Sequence, residues 1–498
     1  MRKLDELRNE LDRIDDNIAK LINSRMEIVE EVSRYKLENN TNTSDSKRKL
    51  DIIKRLKCNS KEEYKTIIEE IYKEIFRESE KFIENYKNNH FLYGLIGENL
   101  GHSWSKEIHS EIASYKYYLK NINKNDLLDF FKERKFKGIN VTMPYKIDCI
   151  KYLDKIDIDA ENIGAVNTIV NEEGVLTGYN TDLYGFEDSL KYFSYSLKNK
   201  KVLILGSGGA SKMVSEALKR AGVSKFQVIS RFSWPSYEDL DNFLDYNVII
   251  NTSPVGMYPN NMESLIDLSK FSNLDFVYDL IYNPYKTKLI LDAEKIGVKA
   301  VSGLYMLVAQ AYYASELFLN KKIEKNKISE CYKKILLSKR NICLVGMPGS
   351  GKSTMGKILA ETLNRSLYDI DIMIEEKEGI SISEIFEKFG EEYFRKAETE
   401  ILREISKESG AIIASGGGSI LKEVNRDLIR QNSFVIFLDR PLEKLERVGR
   451  PLSKEPKSLE KLFSERYLIY KEISDLRVSV VENKEECLKK ILEGLKID

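Results

Sequence analysis

Apolar residues in the first stretch of the chain fall at Leu4, Leu7, Leu11, Ile14, Ile18 and Leu21, and again at Ile28, Val32 and Tyr35. This seven-residue repeat predicts one helix of roughly 35 residues, too long for an ordinary monomeric domain and suited to the arm of a helical dimer. No glycine or proline interrupts residues 1–88. The turn formers of 39–44 end the helix, and two shorter helices are predicted near 45–57 and 61–87. From about residue 91 the pattern changes to short apolar runs alternating with helical stretches, as in βαβ units. Strands are predicted at 91–96, 138–142, 202–205, 226–229, 248–251 and 276–278. The charged stretch 321–340 reads as a helical linker. A new α/β unit then begins at Asn341, with strands at 342–345, 411–414 and 434–438.

The chain has 498 residues, enough for two to four domains, and is 42% hydrophobic, enough for packed cores. Its formal net charge is +0, which gives no bulk attraction to nucleic acid or to a membrane surface. Five cysteines, an odd number with no two close in sequence, argue against a disulfide framework or a zinc site. The start, Met1-Arg2-Lys3-Leu4-Asp5, lacks the apolar core of a signal peptide, and no run is long enough to span a bilayer. A cytoplasmic protein is therefore expected.

Two glycine-rich loops of different kinds follow apolar strands. Gly206-Ser207-Gly208-Gly209-Ala210-Ser211 follows Val202–Leu205 and has the form of a dinucleotide loop with its third glycine replaced. Gly346-Met347-Pro348-Gly349-Ser350-Gly351-Lys352-Ser353, continuing to Thr354, follows Ile342–Val345 and is a full P-loop. Redox chemistry and phosphoryl transfer in separate domains are expected.

In the helical segment the heptad places Arg25 at an apolar position, which is costly unless the charge is paired. Lys36 lies eleven residues on, almost three turns, and so shares its face. Read by itself, this is either a polar register-setting residue of a dimeric coiled coil or part of a cationic pocket for a dicarboxylate. Leu7-Arg8, Asp15, Arg25, Lys36, Asp45 and Arg48 together resemble the all-helical chorismate mutase family. That resemblance implies rearrangement of chorismate to prephenate without covalent catalysis. It assigns Arg8 of a second protomer, Arg25 and Arg48 to the substrate carboxylates, Lys36 to the ether oxygen, and Ser79 to a polar position on the last helix. Two residues depart from the family pattern: Lys49 stands where a glutamate is usual, and Ile83 where a glutamine or glutamate is usual. The departures leave open a non-catalytic dimerisation or end-product-sensing module.

The middle segment carries Ser103-Trp104-Ser105, the string Asn140–Lys146, Ala165-Val166-Asn167-Thr168, Asn180-Thr181-Asp182 and the helix start Gly303–Gln310. In this order they resemble shikimate dehydrogenase over residues 91–320, with a substrate lobe at about 91–190 plus 300–320 and a Rossmann-type lobe at about 191–299. The resemblance implies reduction of 3-dehydroshikimate by a nicotinamide. Lys146 would supply the proton and Asp182 would fix Lys146. Ser103 and Ser105 would take the carboxylate; Thr142, Asn167 and Gln310 would take the ring hydroxyls. Gly206, Gly208, Gly209 and Ala210 would receive the cofactor. After the next strand, Ser230-Arg231 replaces the acid usual for NAD, so NADPH is expected, although Phe232 stands where the family often has threonine.

Downstream of the P-loop lie Asp369-Ile370-Asp371, Gly390–Arg395, Gly416-Gly417-Gly418, Arg447, Arg450 and Arg466. Across 341–498 this series resembles shikimate kinase. Gly349, Gly351, Lys352, Ser353 and Thr354 would hold ATP, with Ser353 and Asp369 toward Mg²⁺. By the resemblance Arg395 and Arg466 clamp the shikimate carboxylate, with Gly417 and Gly418 against the ring, and Asp371 meets the attacking hydroxyl. Arg447 and Arg450 would close over ATP, on a lid shorter than usual.

The expectation is thus a fused enzyme: an all-α dimerising region (1–88), a two-lobed α/β region (91–320) and a P-loop α/β kinase (341–498). Its small-molecule partners would be 3-dehydroshikimate, shikimate and chorismate, and it would form a homodimer through the N-terminal helices.

Overall fold

The structure is a computed structural model that describes residues 3–39, 46–90, 92–101, 103–232, 234–445, 456–480 and 483–495; for 33–39, 46–47, 84–90 and 456–458 it describes the backbone alone. The chain divides into two compact units. One comprises 1–160, 166–179 and 314–321; the other comprises 161–165, 180–313 and 322–498.

In the first unit, α1 (Leu4–Asn39), α2 (Ser46–Cys58) and α3 (Lys65–His90) follow the predicted order. Among the described residues the heptad face of α1 is not covered. Leu4, Leu7, Leu11, Ile14, Ile18, Leu21, Ile28 and Val32 are all exposed. After the helices comes a six-stranded sheet built from β1 (Tyr93–Gly97), β2 (Tyr118–Asn121), β3 (Gly138–Val141), β4 (Lys155–Ile156), β5 (Thr168–Glu172) and β6 (Val175–Tyr179). Their order is β2-β1-β3-β5-β6-β4.

This sheet is mixed, where the apolar runs predicted parallel strands alone. β5 pairs antiparallel with both β3 and β6. The cause is local. Glu173 and Gly174 join β5 to β6 in a two-residue loop with φ of 52° and 90°, the left-handed pair that a tight hairpin requires.

The second unit holds two parallel sheets. The first contains β7 (Lys201–Leu205), β8 (Lys225–Ile229), β9 (Val248–Asn251), β10 (Phe276–Asp279) and β11 (Lys299–Ser302), in the order β11-β10-β9-β7-β8. The chain therefore switches direction at β7, whose C-terminal end carries the Gly206 loop. The second contains β12 (Asn341–Val345), β13 (Leu367–Asp369), β14 (Ile412–Ala414), β15 (Ser433–Asp439) and β16 (Leu476–Ser479), in the order β13-β14-β12-β15-β16. The P-loop leaves its central strand. The stretch predicted as a helical linker contains the helix Lys327–Lys339, and Ile328, Cys331, Tyr332, Ile335 and Leu336 form its buried face. Among the described residues no helix is long and apolar enough to cross a membrane.

Candidate active site

The P-loop opens on a cavity of about 560 Å³ lined by Pro348–Met355, Asp371, Arg395, Glu398, Gly416–Gly418, Arg440, Arg466 and Lys484, among others. Three glycines of the loop, Gly346, Gly349 and Gly351, have φ of 151°, 86° and 94°, and Gly351 precedes the helix Lys352–Leu363. Lys352 is buried, and its Nζ donates to the carbonyls of Gly346 at 2.9 Å and Met347 at 3.1 Å. Ser350 Oγ is buried without a partner. Ser353 and Thr354 are exposed at the mouth. A tight loop of backbone amides at a helix N-terminus, with one ammonium pinned beside it and one orphaned hydroxyl, suits a phosphate chain.

The opposite wall is built on Gly416-Gly417-Gly418, and each glycine is there because something lies against it. A Cβ on Gly416 would meet Glu398 Oε1 at 2.6 Å and Asp371 Oδ1 at 2.9 Å; one on Gly417 would meet the Pro348 ring at 2.7 Å; one on Gly418 would meet the Arg395 guanidinium at 2.3 Å. Arg466 Nη1 donates to the Gly417 carbonyl at 3.0 Å, and the Tyr470 hydroxyl donates to the same oxygen. The two arginines expected to form a clamp thus converge on adjacent glycines.

Arg395 is almost fully buried, and carboxylates already engage it. Its Nη1 donates to Glu398 at 2.9 Å, and its Nε and Nη2 donate to one oxygen of Glu391 at 3.3 and 3.0 Å. Burial works against the charge, but Glu398 and Glu391 outweigh it, so the guanidinium is held above its ordinary pKa. Glu398 is 0% exposed and also accepts from Ser419 Oγ at 2.6 Å, whereas Glu391 is exposed. Gly390 breaks the helix Ile382–Ile405 with φ 80° and ψ 175°, so Glu391 starts a fresh helical run. The resemblance missed both glutamates. Their spacing from Arg395, minus four and plus three, places all three on one helix face and was a usable signal.

Asp371 lines the cavity. Asp369 is buried, and its carboxylate accepts from the amides of Asp371 at 3.2 Å and Ile372 at 3.5 Å, capping the helix Ile370–Glu378. Among the described residues no group of three or more His, Cys, Asp or Glu side chains is arranged to hold a metal. Arg447 and Arg450 lie outside the described residues.

In the dinucleotide sheet, Gly206 has φ 107°, and a Cβ there would lie 3.0 Å from Thr252 Oγ1. Nothing stands within 4 Å of the corresponding position on Gly208. The helix Gly209–Ala221, with Ala210 in its first turn, begins at once, so its open N-terminus faces the space over the loop. Ser230 is buried at the end of β8, and Arg231 beside it is exposed. In the same unit Thr181 Oγ1 donates to Gln310 Oε1 at 3.5 Å, and Asp182 is half-buried in the first turn of the helix Thr181–Tyr192.

In the first unit Ser103 Oγ donates to Ser105 Oγ at 3.0 Å. Asn167 is buried and accepts from Thr168 Oγ1 at 3.1 Å. Thr142 stands at the end of β3, three residues before the helix Tyr145–Asp148 that carries half-buried Lys146.

Among the N-terminal helices the structure brings Arg25 and Ser79 together, with Nη1 donating to Oγ at 2.6 Å and the guanidinium 5.8 Å from the Phe76 ring centroid. Arg8 is exposed and pairs with Asp5 at 3.6 Å, and Arg48 is exposed on α2. Lys49 bonds Glu80, which accounts for the lysine where the family pattern has an acid. Ile83 is half-buried. The Lys36 side chain lies outside the described residues.

Comparison with known proteins bears on each region. The family model for chorismate mutase type II matches residues 7–84, that for the shikimate dehydrogenase substrate-binding domain 95–169, and that for shikimate kinase 348–496. Shikimate dehydrogenase (NADP(+)) of Caldanaerobacter subterraneus is 38% identical, with 48% of this chain and 95% of the relative covered. The chain belongs to the shikimate dehydrogenase family. The same enzyme of Methanococcus maripaludis is 38% identical over 46% of this chain and 91% of its own length. A chorismate mutase/shikimate 5-dehydrogenase fusion protein from Clostridium acetobutylicum has been solved. It is 38% identical, with 49% of this chain and 96% of that one covered and a TM-score of 0.47. This member of the shikimate dehydrogenase family is a fused three-domain protein, with mutase-type helices before the dehydrogenase region and a kinase domain after it.

Proposed function

We propose that the chain reduces 3-dehydroshikimate to shikimate with NADPH and phosphorylates shikimate to shikimate 3-phosphate with ATP, while its N-terminal helices convert chorismate to prephenate. The observation that carries the kinase assignment is the cavity in which a P-loop faces two buried arginines. In the dehydrogenase, Lys146 protonates the developing alkoxide and Asp182 holds its ammonium in place. Ser103 and Ser105 bind the carboxylate, while Thr142, Asn167 and Gln310 bind the hydroxyls. NADPH supplies the hydride. The tight turn at Gly206, the open approach over Gly208 and the exposed cation Arg231 suit its pyrophosphate and its extra phosphate.

In the kinase, ATP supplies the phosphoryl group with Mg²⁺. Gly349, Gly351, Lys352, Ser353 and Thr354 seat the nucleotide, with Ser353 and Asp369 on the metal side. Asp371 accepts the proton of the attacking hydroxyl, and Arg466 and Arg395 take the carboxylate against Gly417 and Gly418. Because Glu391 already occupies two nitrogens of Arg395, the substrate carboxylate displaces it, whereas buried Glu398 stays to orient the guanidinium.

The exposed heptad face of α1 pairs with that of a second copy, giving a homodimer in which Arg8 of one copy joins Arg25, Arg48 and Ser79 of the other. The draw on NADPH and ATP goes with a cytoplasmic location. A second reading, a dimerising or sensing module without turnover, is favoured by the apolar Ile83 and by the engagement of Lys49 with Glu80.

One assay set decides. Purified full-length protein is given dehydroshikimate with NADPH, shikimate with ATP, and chorismate, each followed separately. Oxidation of NADPH and release of ADP, each dependent on its ring acid, are expected. Absence of either removes the corresponding assignment. Chorismate turnover that rises in Ile83→Gln from a low value is expected of a weakened mutase, whereas no turnover in either form establishes the sensing reading.

A further inference from the structure

Domains joined by a linker ordinarily unfold and move independently. The dinucleotide sheet and the kinase sheet meet along two helices, Lys288–Lys295 of the former and Glu423–Asn432 of the latter. Asp427, almost fully buried, receives Lys288 at 2.9 Å and Lys295 at 3.0 Å. Lys295 also reaches Glu423 at 2.8 Å, and Arg430 reaches Glu294 at 2.8 Å. Backbone bonds close the seam. The Lys286 amide donates to the Gln431 carbonyl at 2.7 Å, Gln431 Nε2 donates to the Asn261 carbonyl at 2.6 Å, and the Tyr258 hydroxyl donates to the Ser406 carbonyl at 2.6 Å. The buried carboxylate and its two ammonium partners lie on opposite helices, so this ion-pair cluster exists only while both helices are folded and docked.

Each helix connects through hydrogen bonds to the surroundings of a glycine loop. Thr287 caps Lys288–Lys295 and donates to Asp279 at 2.6 Å; Asp279 accepts from Asn251 at 3.0 Å, and Asn251 accepts from the Ser253 amide at 3.0 Å, in the segment packed on Gly206. Across the seam, Arg426 donates to the Ile420 carbonyl at 2.9 Å and Lys422 donates to the Arg395 carbonyl at 3.3 Å, next to Gly416–Gly418.

We propose that the dinucleotide lobe and the kinase domain form one cooperative folding unit, joined at Asp427, so that a ligand seated in the kinase cavity also protects the dinucleotide sheet from unfolding. No conformational change is needed. A ligand that binds only the folded form stabilises everything that unfolds with its site. The choice of probe rests on the kinase reading, but the cooperative unit itself does not.

Native-state hydrogen exchange on the full chain tests this, following the slowest amides of β9 and β10 against those of β12 and β15, with and without ADP and Mg²⁺. Both sets are expected to share one opening equilibrium and to slow together, roughly 100-fold at a ligand concentration 100 times its dissociation constant. In Asp427→Lys the two sets separate and ADP slows only β12 and β15; the added exchange Lys288→Asp rejoins them. Two distinct opening equilibria in the unmodified chain, or protection confined to β12 and β15, overturn the proposal. One shared opening that ADP leaves unchanged supports it and removes the nucleotide assignment instead.

Discussion

The kinase cavity and the N-terminal helices each place an arginine where an anion is expected, and they hold it in opposite ways. Arg395 is buried and flanked by two carboxylates, one sealed in and one at the surface. Arg25 is half-exposed and donates to a neutral hydroxyl over a phenyl ring. The first cation is neutralised within its own domain. Among the described residues the second has no carboxylate partner, and the apolar stripe of α1 is bare. A cation paired inside its own domain and one beside an uncovered apolar stripe call for different tests.

Lys352→Ala removes the cation pinned in the P-loop and is expected to lower shikimate-dependent ADP release by about 10² to 10³-fold while NADPH oxidation is unchanged. Equal loss of both activities would show that the sites are not separate.

Arg395→Met strands the fully buried Glu398, at a cost of roughly 3 kcal/mol to the kinase domain, visible as a lower thermal midpoint. Arg25→Met, which leaves only a hydroxyl behind, is expected to cost about 1 kcal/mol or less. Similar costs for the two would mean that the two arginines are held alike.

Leu11→Asp places a charge in the exposed stripe and is expected to turn a dimer into a monomer by mass in solution, without loss of kinase activity. A monomeric unmodified protein would leave Arg25 without the partner residues assigned to it.

Glu391→Gln removes the removable carboxylate. The shikimate KM is expected to fall about two- to five-fold with kcat little changed, since an exposed ion pair contributes up to about 1 kcal/mol. A rise in KM would mean that Glu391 supports the substrate rather than standing in for it.

The three helices and the two glycine loops were legible in the pattern because periodicity and turn chemistry are local. β7 to β10, β12, β14 and β15 read clearly as apolar runs. β5 and β6 did not, because each holds only a two-residue aliphatic pair, Ile169-Val170 and Val175-Leu176, too short a run to stand out, though the Glu173–Gly174 pair marks the turn. Arg395 and Arg466 were legible only as motif members; that they meet on neighbouring glycines depends on elements far apart in the chain. The Asp427 seam was invisible for the same reason. Its lysines lie 139 and 132 residues away, and nothing local distinguishes them from ordinary surface charge.

Gly390 gives the carboxylate of Glu391 a second home. By breaking the helix, it sets Glu391 at the electropositive head of the run that follows. An acid dislodged from Arg395 would therefore still sit at a helix N-terminus, where an anion is favoured.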